Sequence, residues 1–346
     1  MPVSSTKRAW IAVAILVGVA AAGVGVYFYR MQRPLAGPSA GAAPDLLSLF
    51  PADAPAIAFV DVAALRKLQG SELAEMLGLA GADPKEDRDY QKFVRDTGFD
   101  YTRDLDQAAI AYWPASLMNP NSGFGENRVL AIADGRFDQM RIEAYALRTG
   151  KQVARGARQL YEIPGNPPVA FEFRSATRIA LASGTDAGNL IGATYPTARD
   201  AATQARIDRV AGAPIFAVAR TDNLPPSFYD NFRNAPQLAN LARSVRGLTL
   251  AGQPQGESIA IALDGECDSM KSALELATLL DGFRMVGSMA LADPKTLRQM
   301  TKPQAAFLTA LVNQVKVSHQ DRWVRLTLDI TPEMLAPGKS THAGLR

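Results

Sequence analysis

Twenty consecutive residues near the start of the chain, Trp10 to Tyr29, carry no charge: WIAVAILVGVAAAGVGVYFY. As a helix rising 1.5 Å per residue, such a run is about 30 Å long, the thickness of a bilayer's hydrocarbon core. Trp10, Tyr27 and Tyr29 fall where interfacial aromatics belong, and Gly23 and Gly25 are tolerated in membranes. The run predicts a single membrane-spanning helix over 10–29 after a short tail, 1–9. A cleaved signal peptide is the alternative, with Lys7 and Arg8 as its basic end, Ile11 to Val19 as its apolar core and Ala20-Ala21-Ala22 as its cleavage site. The apolar run continues past that site through Val26, Tyr27 and Phe28, which favours an anchor. Lys7 and Arg8 on one side tie with Arg30 and Arg33 on the other, so charge does not orient the helix. A short tail before a large C-terminal region suggests a body outside the inner membrane, in the periplasm or its equivalent.

Residues 30–44 include RPLAGPSAGAAP, rich in Pro, Gly, Ala and Ser and without apolar periodicity, and read as a linker. The remaining body has ample core material, since 47% of the 346 residues are hydrophobic. Its formal net charge is +3, and basic residues are scattered among acidic ones, so no nucleic-acid partner is expected. A single cysteine, Cys267, excludes an intrachain disulfide, and it reads as a small buried residue rather than a reactive thiol. Two histidines, His319 and His342, exclude a histidine-rich zinc site. His319 reads as a turn residue, and His342 lies in a polar tail, 333–346.

The body carries an internal echo. RVLAIADGRFDQM (Arg128 to Met140) and SIAIALDGECDSM (Ser258 to Met270) share Asp-Gly, a second Asp and Met at a constant offset of 130. Asp134-Gly135 and Asp264-Gly265 read as turns after apolar strands. Asp138 and Asp268 read as caps of the helices that follow. Met140, Ala144 and Leu147, and Met270, Ala273, Leu274, Ala277 and Leu280, read as apolar helix faces. Strands at PAIAFVDV and PIFAVART open the two halves, helices follow over Ala63 to Leu79, Arg88 to Thr97 and Ser227 to Val245, and further strands are expected over Gln107 to Trp113 and Gly247 to Ala251. Hairpins over Pro168 to Ser183 and Val315 to Ile330 close them, the second after a helix at Lys295 to Asn313. The expectation is an α+β body of two related halves, 45–210 and 211–332, each an antiparallel sheet with helices on one face.

FPADAPAIAFVDVAALR (Phe50 to Arg66), TGFDYTRDLDQAAIA (Thr97 to Ala111) and ADGRFD (Ala133 to Asp138) together resemble a diffuse group of uncharacterised bacterial envelope proteins. Those have an N-terminal anchor and a duplicated extracytoplasmic domain. The resemblance implies location and architecture, and no activity.

Motifs for chemistry fail on context. Gly37-Pro38-Ser39-Ala40-Gly41 spells a nucleophile elbow but lies in the linker. Asp96-Thr97-Gly98 spells an aspartic-protease triplet, but no second such triplet exists and Gly98 reads as a helix C-cap. Gly338-Lys339-Ser340 ends like a phosphate loop but has Glu333 where the first glycine belongs. Asp100, Asp104 and Asp106 lack a calcium loop's spacing and read as a solvated turn. Phe124, in the loop Asn119 to Asn127, reads as tucked in, with contact to a partner or membrane as the alternative. No catalytic, cofactor or metal residues are assigned. The sequence points to a membrane-anchored, non-enzymatic binding or scaffold module with a protein partner in the envelope. A hydrolase using Asp134 and Asp264 and a carrier of a small or lipidic ligand between the halves are the alternatives.

Overall fold

The computed structural model describes residues 42–67, 88–113, 128–192, 199–221, 236–256, 258–293, 302–331 and 334. The span Trp10 to Tyr29, the GPSAG string, Phe124 and its loop, the Gly338 string and His342 lie outside these residues. Among the described residues no helix is long and apolar enough to cross a membrane.

In chain order the elements are α1 (Ala42–Leu47), β1 (Ala56–Asp61), α2 (Val62–Arg66), α3 (Arg88–Thr97), α4 (Tyr101–Asp104), β2 (Leu105–Trp113), β3 (Arg128–Gly135) and α5 (Gln139–Thr149). There follow β4 (Lys151–Arg155), β5 (Arg158–Ile163), β6 (Val169–Ser175), β7 (Arg178–Ser183), α6 (Ala187–Gly192) and α7 (Ala201–Val210). The rest are β8 (Ile215–Arg220), α8 (Pro236–Ser244), β9 (Val245–Gln255), β10 (Ser258–Cys267), α9 (Met270–Ala292), α10 (Lys302–Gln314), β11 (Lys316–Gln320) and β12 (Trp323–Ile330).

The fold is mixed α+β around one large antiparallel sheet, not two. The twelve strands of the described residues join in the order β11-β12-β10-β9-β8-β1-β2-β3-β7-β6-β5-β4. The junction is the ladder between β1 and β8, where Phe59 lies opposite Phe216 with ring centroids 5.1 Å apart. A hydrogen-bonded ladder therefore runs between the halves, where the carrier alternative would need a pocket. Moving outward from it, one side runs β1-β2-β3-β7-β6 and the other β8-β9-β10-β12-β11, the same order, with β5 and β4 added on the first side.

Helices cover both faces, which corrects the one-face expectation. The reason lies in the central strands, which are apolar on both sides. Ile57, Phe59, Leu130, Ile132, Phe216 and Val218 belong to one core cluster, packed with residues of α1, α6 and α7 on the back face. Val60, Ala108, Ala133, Ile215 and Leu250 point the other way, into a cluster with residues of α2, α5 and α10. Runs such as VLAIA in β3 are what a sheet buried on both faces requires. β12, next to the β11 edge, alternates apolar and polar residues in sequence, with Val324, Leu328 and Ile330 buried.

Several boundaries shift. α1 begins at Ala42, inside the expected linker; Pro44 fits its first turn, where no backbone N–H is needed. α2 covers the start of the expected Ala63 to Leu79 helix and α8 the end of the Ser227 to Val245 helix; residues 68–79 of the first and 227–235 of the second fall outside the described residues. The expected helix at Lys295 to Asn313 is α10 from Lys302, and α9 runs on to Ala292.

Candidate functional site

The Asp-Gly pairs are not turns. Asp134 and Gly135 end β3, and Asp264 and Gly265 lie within β10. Neither glycine has positive φ. Gly135 is needed for closeness, because a Cβ there would overlap the Asp104 carbonyl oxygen. Gly265 has only ordinary contacts around the same position.

Each aspartate instead faces an arginine across the ladder. Asp134 pairs with Arg178 of β7, whose Nε donates to Oδ1 at 2.6 Å and Nη2 to Oδ2 at 2.8 Å. Gln107 of β2 donates to Oδ2 at 3.0 Å, and Arg178 also reaches Asp45 of α1 at 2.7 Å. These carboxylates hold the Arg178 guanidinium above its ordinary pKa. Asp264 pairs with Arg325 of β12 through bonds of 2.5 and 2.6 Å, and accepts a third, 2.7 Å, from Arg209 of α7. Arg209 lies over the Trp323 ring, 4.4 Å from its centroid.

Two residues along β10, Glu266 accepts from Arg206 and Arg322, both at 2.7 Å. The Arg206 guanidinium crosses the backbone at Gly247, where a Cβ would collide with it. On the same face Glu172 of β6 holds Arg174 at 2.5 Å and Arg158 at 3.3 Å.

This geometry suits structure rather than acid–base chemistry. A carboxylate gripped by an arginine fork has its oxygens already engaged. Asp134 and Asp264 also sit on strands five spacings apart, roughly 24 Å at ~4.8 Å per spacing. Paired catalytic carboxylates work within about 10 Å of each other. The structure does not bring these two together.

The other singled-out residues are accounted for locally. Asp138 caps α5, accepting from the Arg141 N–H at 3.1 Å. Asp268 does not cap α9; Ser269 does, accepting from the Ser272 N–H. Gly98 closes α3 with φ 74° and donates to the Val94 carbonyl, as a C-cap should. Asp100 caps α4 and accepts from the Tyr90 hydroxyl; burial and that bond push the Tyr90 phenol well up.

The acidic cluster is no solvated turn. Asp104 is buried and held by Arg103 at 2.6 Å and Arg136 at 3.6 Å, while Asp106 meets Arg66 and Arg136. Burial pushes the Asp104 carboxyl up, but Arg103, the Asp100 backbone N–H and Arg136 outweigh it and hold it below the ordinary value. Cys267 is buried at the end of β10, not at a helix start, and burial raises its thiol. His319 is a strand residue of β11 opposite Val324; the turn is Asp321-Arg322, with Asp321 at φ 52°.

Among the described residues, two concavities and one exposed surface stand apart from these contacts. A polar cleft of about 640 Å³ lies between β4, β5 and the start of α6, with Arg148, Lys151, Arg155, Glu162 and Asp186 among its lining. A second, about 720 Å³, lies between α8 and α9 and is lined by Asn240, Leu241, Leu274, Glu275, Thr278 and Leu279. Beside it α9 exposes Met270, Leu274, Phe283, Met285, Val286 and Met289. Its packed side, through Ala273, Leu276 and Ala277, joins Cys267 and Val324. The expected apolar face of α9 thus points partly to solvent, and that of α5 wholly: Met140, Ala144 and Leu147 are exposed, and Ile142 and Ala146 make its buried side.

No protein-family profile matches this chain, and no curated protein sequence matches it. Its fold is similar to solved structures of TP0453 at low identity. Crystal form III is 11% identical with a TM-score of 0.43, covering 84% of this chain and 96% of that one. Crystal form IV is 10% identical with a TM-score of 0.44, covering 86% and 98%. Crystal form I is 10% identical with a TM-score of 0.41, covering 84% and 94%.

Proposed function

We propose that this chain is a membrane-anchored body, built from one α+β unit used twice, that works by binding a protein partner rather than by catalysis. The carrying observation is the distribution of exposed apolar side chains. Of the ten large ones among the described residues, six lie on α9. Exposed apolar side chains gathered on one helix suit an interaction site, and flexible methionines suit a surface that must adapt to its partner. Met270, Met285 and Met289 supply that softness, and the groove against α8 supplies relief.

The anchor reading is supported by Trp10 to Tyr29, uncharged over twenty residues, and goes with a body outside the inner membrane. The two-unit reading rests on the matched strand orders and on Asp134–Arg178 and Asp264–Arg325, the same cross-strand pair at the same place in each. Against catalysis stands the engagement of both leading carboxylates by arginine.

The test uses the triple change Met285→Ser, Val286→Ser and Met289→Ser in the full chain. The variant should stay in alkali-washed membranes and melt as the parent does, yet lose its cross-linked adducts in intact cells. Unchanged adducts would refute the α9 face as the docking surface, and release of the parent by alkali would refute the anchor.

A further inference from the structure

β4 and β11 are the outer strands of the sheet. β4 is joined to β5 by the two-residue turn Gly156-Ala157, with Gly156 at φ 63°. In such a hairpin the closing pair, here Arg155 and Arg158, exchanges its hydrogen bonds, and the pattern alternates from there. Lys151, Val153 and Arg155 therefore bond inward to β5. Gln152 and Ala154 turn both their N–H and C=O groups outward, and neither has a further backbone partner among the described residues. An open strand edge of this kind is a template for another strand.

The side chains decide which strand fits. Lys151, Val153 and Arg155 share one face, with Val153 half-buried between the two exposed cations. A strand added antiparallel sets its side chains opposite these three in the close, non-hydrogen-bonded pairs, with Cα atoms about 4.5 Å apart. A second copy of β4 would put Lys151 against Arg155 twice, a like-charge clash. The cleft beside the edge adds Arg148, which Asp96 already holds at 3.5 Å, and Arg128 holds Asp186 at 3.0 Å, so of the cleft's two carboxylates Glu162 is the one left to face Lys151 and Arg155. Glu162 shares Lys151 at 3.2 Å and Arg155 at 3.5 Å, which leaves those exposed cations charge to offer outward.

We infer that β4 is a docking edge for an extended segment of another protein with an acidic, an apolar and an acidic residue at alternate positions. The same two cations that repel an identical edge select an acidic one. This surface is separate from the α9 face and stands or falls independently of it.

The test uses the full chain in detergent micelles and a capped peptide centred on glutamate–threonine–valine–threonine–glutamate, with its lysine-for-glutamate counterpart as control. Amide exchange at Gln152 and Ala154 should slow with the acidic peptide, and that peptide should bind about tenfold tighter than the lysine one at low salt. Ala154→Pro removes an outward N–H at an edge position that tolerates proline, and should abolish binding without changing the melting temperature. Should that variant misfold, the pair Lys151→Glu and Arg155→Glu provides the alternative, and should reverse the preference between the peptides. Equal binding of both peptides, or no slowing at those two amides under saturation, would overturn the inference.

Discussion

Asp134 and Asp264 stand at the same place in two successive runs of strands, yet they are held with opposite balances of charge. In the first run two aspartates, Asp134 and Asp45, share Arg178, and Gln107 completes the set. In the second, two arginines, Arg325 and Arg209, share Asp264, which is the more deeply buried aspartate. The helix before the opening strand supplies the third member each time, an acid from α1 and a base from α7. The same cross-strand pair thus stands in surroundings of opposite sign. The comparison teaches that what looked like a possible catalytic acid is a clasp between sheet and helix.

Breaking the clasps should separate the halves most clearly. Asp264→Asn leaves two guanidinium groups facing each other in a buried site and should cost about 3–5 kcal/mol in urea unfolding. Asp134→Asn leaves Arg178 still paired with Asp45 and should cost about 1–3 kcal/mol. Equal losses would contradict the unequal balance described above. The neighbouring glycines form the next contrast. Gly135→Ala drives a methyl into the Asp104 carbonyl and should cost about 1–3 kcal/mol, whereas Gly265→Ala should be neutral or slightly stabilising.

The helix caps give a smaller difference. Asp138→Ala should lower stability by about 1 kcal/mol, and Asp268→Ala should change it little, because Ser269 caps α9. The smallest contrast is in acid. Asp104 precedes β2, where Ser244 precedes β9 in the second half. Asp104 ionises more readily folded than unfolded, so the unfolded chain takes up the extra proton as pH falls. Its contribution is complete above the ordinary carboxylate value near ~3.9 and is lost as pH drops through its lower native value. Asp104→Asn should flatten the acid limb of the stability curve, and Ser244→Ala should leave that limb in place.

Local chemistry was legible and long-range pairing was not. Trp323 to Ile330 and Arg88 to Thr97 match their elements to the residue, because alternation and helical periodicity are written in consecutive side chains. Gly98 and Asp138 were readable as caps for the same reason. The partners of Asp134 and Asp264 lie 44 and 61 residues away, and only strand register brings Arg178 and Arg325 opposite them. The joining of the halves through β1 and β8 left no local mark either. The continuous apolar runs in β3 and β7 were the available signal for a sheet covered on both faces. Met140 and Met270 misled because each sits in a helix's first turn, beside the cap and close to solvent.

Exposed methionines on α9 and α5 test the proposed docking face on α9 most directly. A photoreactive benzophenone side chain placed at Met289 of α9 or at Met140 of α5, both highly exposed, would be irradiated in intact cells. A discrete protein adduct from position 289 and none from position 140 is the predicted result. Adducts of equal yield from both, or from position 140 alone, would contradict the account.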